Sequence, residues 1–183
     1  MKRFLKTYKN RLTISFIILV IVNIIVMRSF DEALQNEICK GGIISFELAK
    51  ELDESVKILD SWDEKAKINA GLSLGFDFLF LLIYSSLIAL FIYNINNRLW
   101  KSKPFYQLGR ILVILIYVAA LFDVIENFAL IKLLSGELKQ VWSSVAFYFA
   151  SMKFGIILIC ISYILINWSL LFIVRAQKPP LKN

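Results

Sequence analysis

The stretch AALFDVIENFAL (residues 119–130) decides how this chain folds. It lies in an apolar run of the length that crosses a hydrocarbon layer, about 20 residues as a helix. Yet Asp123, Glu126 and Asn127 stand in its middle. A carboxylate at the centre of a membrane helix costs about 2.5–3.5 kcal/mol on insertion scales. Two of them with an amide beside them do not face lipid. Their spacing is i, i+3, i+4, which gathers all three on one helical face. That face must turn toward other helices, so the segment predicts a bundle and not a lone anchor.

Three more apolar runs supply the partners. One carries Asp77 and, seven residues on, Tyr84 in GFDFLFLLIYSS (residues 75–86). Another carries Lys153 in FASMKFGIIL (residues 149–158), with Cys160 and Asn167 following at seven-residue steps. The first run holds Asn23, whose amide suits an interhelical hydrogen bond or a place in the same polar group. The chain is 58% hydrophobic, well above the roughly 45–50% of a soluble domain. The reading is all-α: a single membrane domain over 1–183, an antiparallel four-helix transmembrane bundle. Its spans fall at about 12–28, 69–94, 110–134 and 143–174. An outer helical segment, 43–68, adds an amphipathic helix on the outer side.

Charge sets the expected orientation. Lys2, Arg3, Lys6, Lys9 and Arg11 precede the first span without an acid. The 94–110 loop has Arg98, Lys101, Lys103 and Arg110, and the tail has Arg175, Lys178 and Lys182, again without acids. Segment 28–70 is acidic on balance. Basic loops stay cytoplasmic, so both termini are expected inside an inner cell membrane and 28–70 outside. Topology accounts for the net charge of +7, and no nucleic-acid partner is needed; the bilayer is the expected partner. The N-terminus reads as an uncleaved anchor, and the tail around Pro179-Pro180 as frayed.

In the outer segment, Gly41-Gly42 reads as a flexible joint and Ser45 as the start of a helix to about Ile58. Leu48, Leu52, Val56 and Leu59 form its apolar stripe. Ser61-Trp62-Asp63-Glu64 matches a capping box, with Ser61 as N-cap. The helix that begins there is expected to run unbroken into the second span. Gly71-x-x-x-Gly75 has the form of a close-packing motif.

The chain has no histidine, which removes the commonest general base and zinc ligand. Cys39 and Cys160 lack metal-ligand spacing and are expected at different depths. No metal site and no cofactor motif can be read. The candidate ligand-binding residues are therefore Asp77, Tyr84, Asp123, Glu126, Asn127 and Lys153. Three acids face one lysine. Two of them must hold protons, take a cation or be reached by water. That leaves three uses for the cluster. It can bind or transport a proton-linked or cationic small ligand, serve an enzyme acting on a lipid or isoprenoid, or act as a polar clasp with no ligand. The oligomeric state stays open.

ISFELAKELDESVKILDSW, LGFDFLFLLIYSSLIAL, LFDVIENFALIKLL and the lysine before FGIIL resemble a group of small bacterial integral membrane proteins with four spans. The likeness covers about residues 43–160 and is most specific at the Asp77 run and at Asp123-x-x-Glu126-Asn127. It implies four-span topology and a bacterial source, and it brings no activity or substrate.

Overall fold

The computed structural model describes residues 2–101 and 105–176, and their regular structure is helical throughout. Six helices follow in order: α1 (Lys2–Asp31), α2 (Ile43–Glu47), α3 (Leu52–Ser61), α4 (Glu64–Leu99), α5 (Tyr106–Leu134) and α6 (Gln140–Ala176). Four contain stretches long and apolar enough to cross a membrane: Arg11–Asp31, Glu64–Leu99, Tyr106–Leu134 and Gln140–Leu171. None of the three prolines falls in these stretches. Each run can therefore satisfy its own backbone hydrogen bonds, as hydrocarbon demands. α5 packs along both α4 and α6, and α1 packs along α4. Residues 177–183, where fraying around Pro179-Pro180 is expected, and Lys103 of the basic loop lie outside the described residues.

α4 is 36 residues long, about 54 Å at 1.5 Å per residue, against about 30 Å of hydrocarbon. It outruns the expected span at both ends. Its first turns become a wall for α2 and α3, which sit as a cap over one end of the bundle. Trp62 anchors the cap: its Nε1 donates to Leu34 O at 2.9 Å, and its ring meets Phe46 edge-on at 5.3 Å. Around them Leu34, Cys39, Phe46, Leu59, Leu74, Leu130 and Leu133 form a buried apolar core. A second core, with Leu81, Ile92, Leu112, Ile116 and Cys160, fills the bundle further along. Asp77, Asp123, Glu126, Asn127 and Lys153 lie between the two, as a polar layer.

The cap differs from the sequence reading in five ways. The expected helix from Ser45 to Ile58 is two helices, broken between Leu48 and Glu51. The break is held from afar: Gln140 accepts from Leu52 N at 2.8 Å and donates to Lys50 O at 3.0 Å, and Ser55 and Ser143 join hydroxyls at 2.9 Å. The buried face of α3 is accordingly Ser55, Ile58 and Leu59, while Leu48 of the expected stripe is exposed. Ser61 does not cap α4. Its hydroxyl donates to Ile58 O, and Asp63 is the N-cap, accepting from Ala66 N at 2.7 Å. Gly42 is a fixed turn and not a loose joint. It has φ 57°, Asp31 Oδ1 accepts from the next amide, Ile43 N, at 2.7 Å, and a Cβ at Gly42 would overlap the Asp31 carboxylate. Ser45 Oγ accepts from Gly41 N instead of capping a helix.

The small-residue motif also reads differently. A Cβ on Gly71 would meet only Leu134 at an ordinary 3.8 Å, and one on Gly75 would meet nothing. The glycine that close packing does require is Gly109, where a Cβ would overlap the Asn96 amide. That contact belongs to a neutral polar layer at the end of the bundle away from the cap. Asn96 Nδ2 donates to Tyr106 O at 2.9 Å, and Tyr163 OH donates to Asn96 Oδ1 at 3.3 Å. Trp100 Nε1 donates to Asn167 Oδ1 at 2.6 Å, and Asn167 Nδ2 to Tyr163 O at 2.8 Å.

Candidate functional site

Lys153 is the hub of the charged layer. It is 5% exposed and projects from α6 onto α5. Its ammonium donates to Asp123 Oδ1 at 2.7 Å and to Glu126 Oε1 at 2.9 Å. Glu126 Oε2 lies 2.8 Å away but off the hydrogen-bonding direction, and it is buried without another partner. The i, i+3, i+4 face of α5 is inward as its pattern demands, with Asp123, Glu126 and Asn127 all buried. Small buried residues on α5, Ala119, Ala120 and Ala129, flank them.

α4 closes the other side. Tyr84 OH donates to Asp123 Oδ2 at 2.9 Å. Asn127 Nδ2 donates to Asp77 Oδ2 at 2.6 Å. All six candidate residues are thus joined in two hydrogen-bonded groups, one around Lys153 and one pairing Asp77 with Asn127. Asn23 stands apart from both. It is buried on α1, but its Nδ2 donates to Leu19 O of its own helix, and its Oδ1 has no partner among the described residues.

The residue missing from the sequence reading is Glu47. It is the last residue of α2, it is buried, and its Oε2 comes within 3.7 Å of Lys153 Nζ. That oxygen has no hydrogen-bond partner among the described residues. Burial pushes the Glu47 carboxyl above the usual carboxylate range; Lys153 opposes this and Asp123 adds to it. A signal was present. Ile43, Phe46 and Glu47 stand at i, i+3, i+4, so a helix begun at Ile43 puts Glu47 on the apolar face. A helix begun at Ser45 and continued through Leu48 puts it on the charged side.

The layer borders a cavity of about 590 Å³, within the roughly 300–1,000 Å³ typical of small-molecule sites. Asp77, Tyr84, Asp123, Lys153 and Glu47 line it, whereas Glu126 and Asn127 stand behind them and do not. Arg28, Asp31 and Gln35 line it where α1 meets the cap. The remaining walls are mostly apolar, from α1, α4 and α6. Ile24 on α1 and Phe154 and Ile161 on α6 line it and are exposed, so its mouth opens sideways between these two helices.

Chemically, the layer offers four carboxyl groups against the one ammonium of Lys153, and Arg28 and Asp31 add one charge of each sign to the cavity wall where α1 meets the cap. Among the described residues no group of three His, Cys, Asp or Glu side chains is arranged to hold a metal ion. No protein-family model, curated protein or solved structure matches the chain.

Proposed function

We propose that this protein binds, or carries across the membrane, a proton-linked or cationic small ligand at the Glu47, Asp77, Asp123 and Lys153 layer beneath α2. We place it in a bacterial inner membrane, with the cap outside and both termini cytoplasmic, on the strength of the basic loops. One observation carries the reading: the charge-unbalanced layer opens onto a cavity, with the Asp77 carboxyl on its wall. A clasp that only fixes helix register needs no cavity and no surplus carboxyls. Uncompensated buried charge is costly, so the surplus groups hold protons until a cation replaces them.

Enzymatic lipid chemistry is the weaker reading. Its support is the apolar wall. The hydroxyls lining the cavity are those of Ser73 and Tyr84, and the one carboxylate that Tyr84 meets, Asp123, is itself held by the Lys153 ammonium, which weakens it as a base for activating a nucleophile.

The test is thermal unfolding of the purified protein against metal cations, ammonium and small organic amines across pH, with proton release followed in weak buffer. A cationic ligand should raise the melting temperature of the wild type and displace protons. Asp77→Asn should weaken that effect about tenfold or more, the value of a hydrogen bond to a charged group. If no cation or amine stabilises the wild type at any pH, the reading fails.

A further inference from the structure

We infer that the ligand of this layer is an amphiphile: a primary ammonium on a hydrocarbon chain, the ammonium at Asp77 and Glu47 and the chain in the seam between α1 and α6. This rests on the cation-binding reading above and narrows it to a ligand class.

The cavity is elongated and polarised. Along α4 it is lined by Ser73, Asp77, Phe80, Tyr84 and Ile88, and the part from Asp77 to Ile88 alone covers about 16 Å of helix. Along α6 it runs from Lys153 to Ile161, about 12 Å. Every charged group on its wall lies at or toward the cap side of this slot. Beyond Tyr84 the lining is Ile88, Ile157 and Ile161. A small hydrated cation uses only the charged end. A chain attached to the ammonium fills the rest.

Two further features fit. Glu47 lines this cavity, and its Oε2 lacks a hydrogen-bond partner among the described residues, so the charged end has an acceptor to spare. The rim residues Ile24, Phe154 and Ile161 are apolar and exposed on helices long enough to cross a membrane. A chain leaving the slot sideways therefore meets hydrocarbon, and the ligand reaches the site from the bilayer. The shared chemistry is an aliphatic primary ammonium. Its source is either a free long-chain amine or the ethanolamine headgroup of a phospholipid.

The experiment uses the full chain in phosphatidylcholine nanodiscs with dodecylamine carrying a diazirine on its chain. Photolabelling should concentrate several-fold on residues 21–28 of α1 and 154–161 of α6, relative to exposed α5 positions such as Ile114 and Leu121. The matching alcohol should show no such bias. Ile157→Trp fills the slot and leaves the acids in place; it should abolish the bias while ethylamine still stabilises the protein. A phosphatidylethanolamine with the diazirine on its acyl chain tests the source. The same focused labelling by it supports the phospholipid, and focused labelling by dodecylamine alone supports the free amine. Label spread evenly over lipid-facing residues, or a bias that survives Ile157→Trp, overturns the inference. If ethylamine still stabilises the wild type in that case, only the amphiphile is lost. If neither amine stabilises it, the cation reading falls as well.

Discussion

The bundle has two buried polar layers, and they are built differently. In the layer away from the cap, Asn96, Tyr106, Tyr163, Asn167 and Trp100 stitch α4, α5 and α6 with neutral groups, and both ends of each of the two buried amides are used. In the layer beneath the cap, one lysine faces Glu47, Asp77, Asp123 and Glu126, and oxygens of Glu47 and Glu126 lack hydrogen-bond partners among the described residues. Neutral side chains evidently suffice to fasten these helices. Charge in the other layer therefore calls for a purpose beyond fastening, because neutral interhelical bonds give comparable cohesion without burying an ion.

The largest effect should come from Lys153→Met. Removing one partner of a buried ion pair leaves the others uncompensated, a loss of about 3–5 kcal/mol. The neutral layer's counterpart, Asn167→Leu, should cost about 1 kcal/mol, typical of an interhelical hydrogen bond. Reversible unfolding in mixed micelles measures both. Equal losses would erase the distinction between the layers.

Next come the two glycines that each layer's surroundings depend on. Gly42→Ala places a side chain at φ 57° and against Asp31, and Gly109→Ala pushes into Asn96. Overpacking of this kind costs about 1–3 kcal/mol. Gly42→Ala should also loosen the cap, seen as faster amide exchange at Ile43, whereas Gly109→Ala should leave that amide unchanged. Identical exchange patterns would mean that the cap does not depend on the Gly42 turn.

The two layers should also respond differently to pH. The Glu47 carboxyl is held above the usual range, by burial first. A group whose folded form holds its proton more tightly than the unfolded chain adds stability below its unfolded value, about 4.3 for Glu. That stability is lost as pH rises through the folded value. Wild type should therefore lose melting temperature relative to Glu47→Gln as pH rises from 4 toward neutrality. Asn167→Leu should show the wild-type slope. A flat difference between wild type and Glu47→Gln would contradict the burial of an ionisable cap residue.

The smallest effect should be at Asn23. Its amide bonds only within α1 and its Oδ1 is unpartnered among the described residues. Asn23→Leu should be neutral or stabilising, because no partner is orphaned. A loss as large as that of Asn167→Leu would place Asn23 among the interhelical fasteners.

Sequence patterns went far toward the bundle and less far toward the cap, for a physical reason. The four apolar runs and the inward face of Asp123, Glu126 and Asn127 follow from local periodicity, and Lys153 could be paired with them by depth alone. The break at Leu48–Glu51 has no local marker. It is imposed by Gln140 and Ser143, about 90 residues away in sequence. Missing that break shifted the helix register and hid Glu47. At the start of α4, Ser61 and Asp63 are both competent caps, and the choice turns on Ser61 being the last residue of α3, with its hydroxyl oxygen already accepting from Asn36 Nδ2. The sideways mouth of the cavity was equally hidden, since it depends on how α1 and α6 are spaced around α4.

The pairing of Gln140 with the α2–α3 joint has a mechanical consequence. α6 grips the cap near its start, through Gln140 and Ser143, and again through Lys153 against Glu47. Thirteen residues separate Gln140 from Lys153, about 20 Å along the rod. A rod pinned to one plate at two heights cannot turn about its long axis without tearing one pin. A cationic ligand that takes up Glu47 would loosen the pin at Lys153 and leave Gln140 and Ser143 as the polar pins between α6 and the cap.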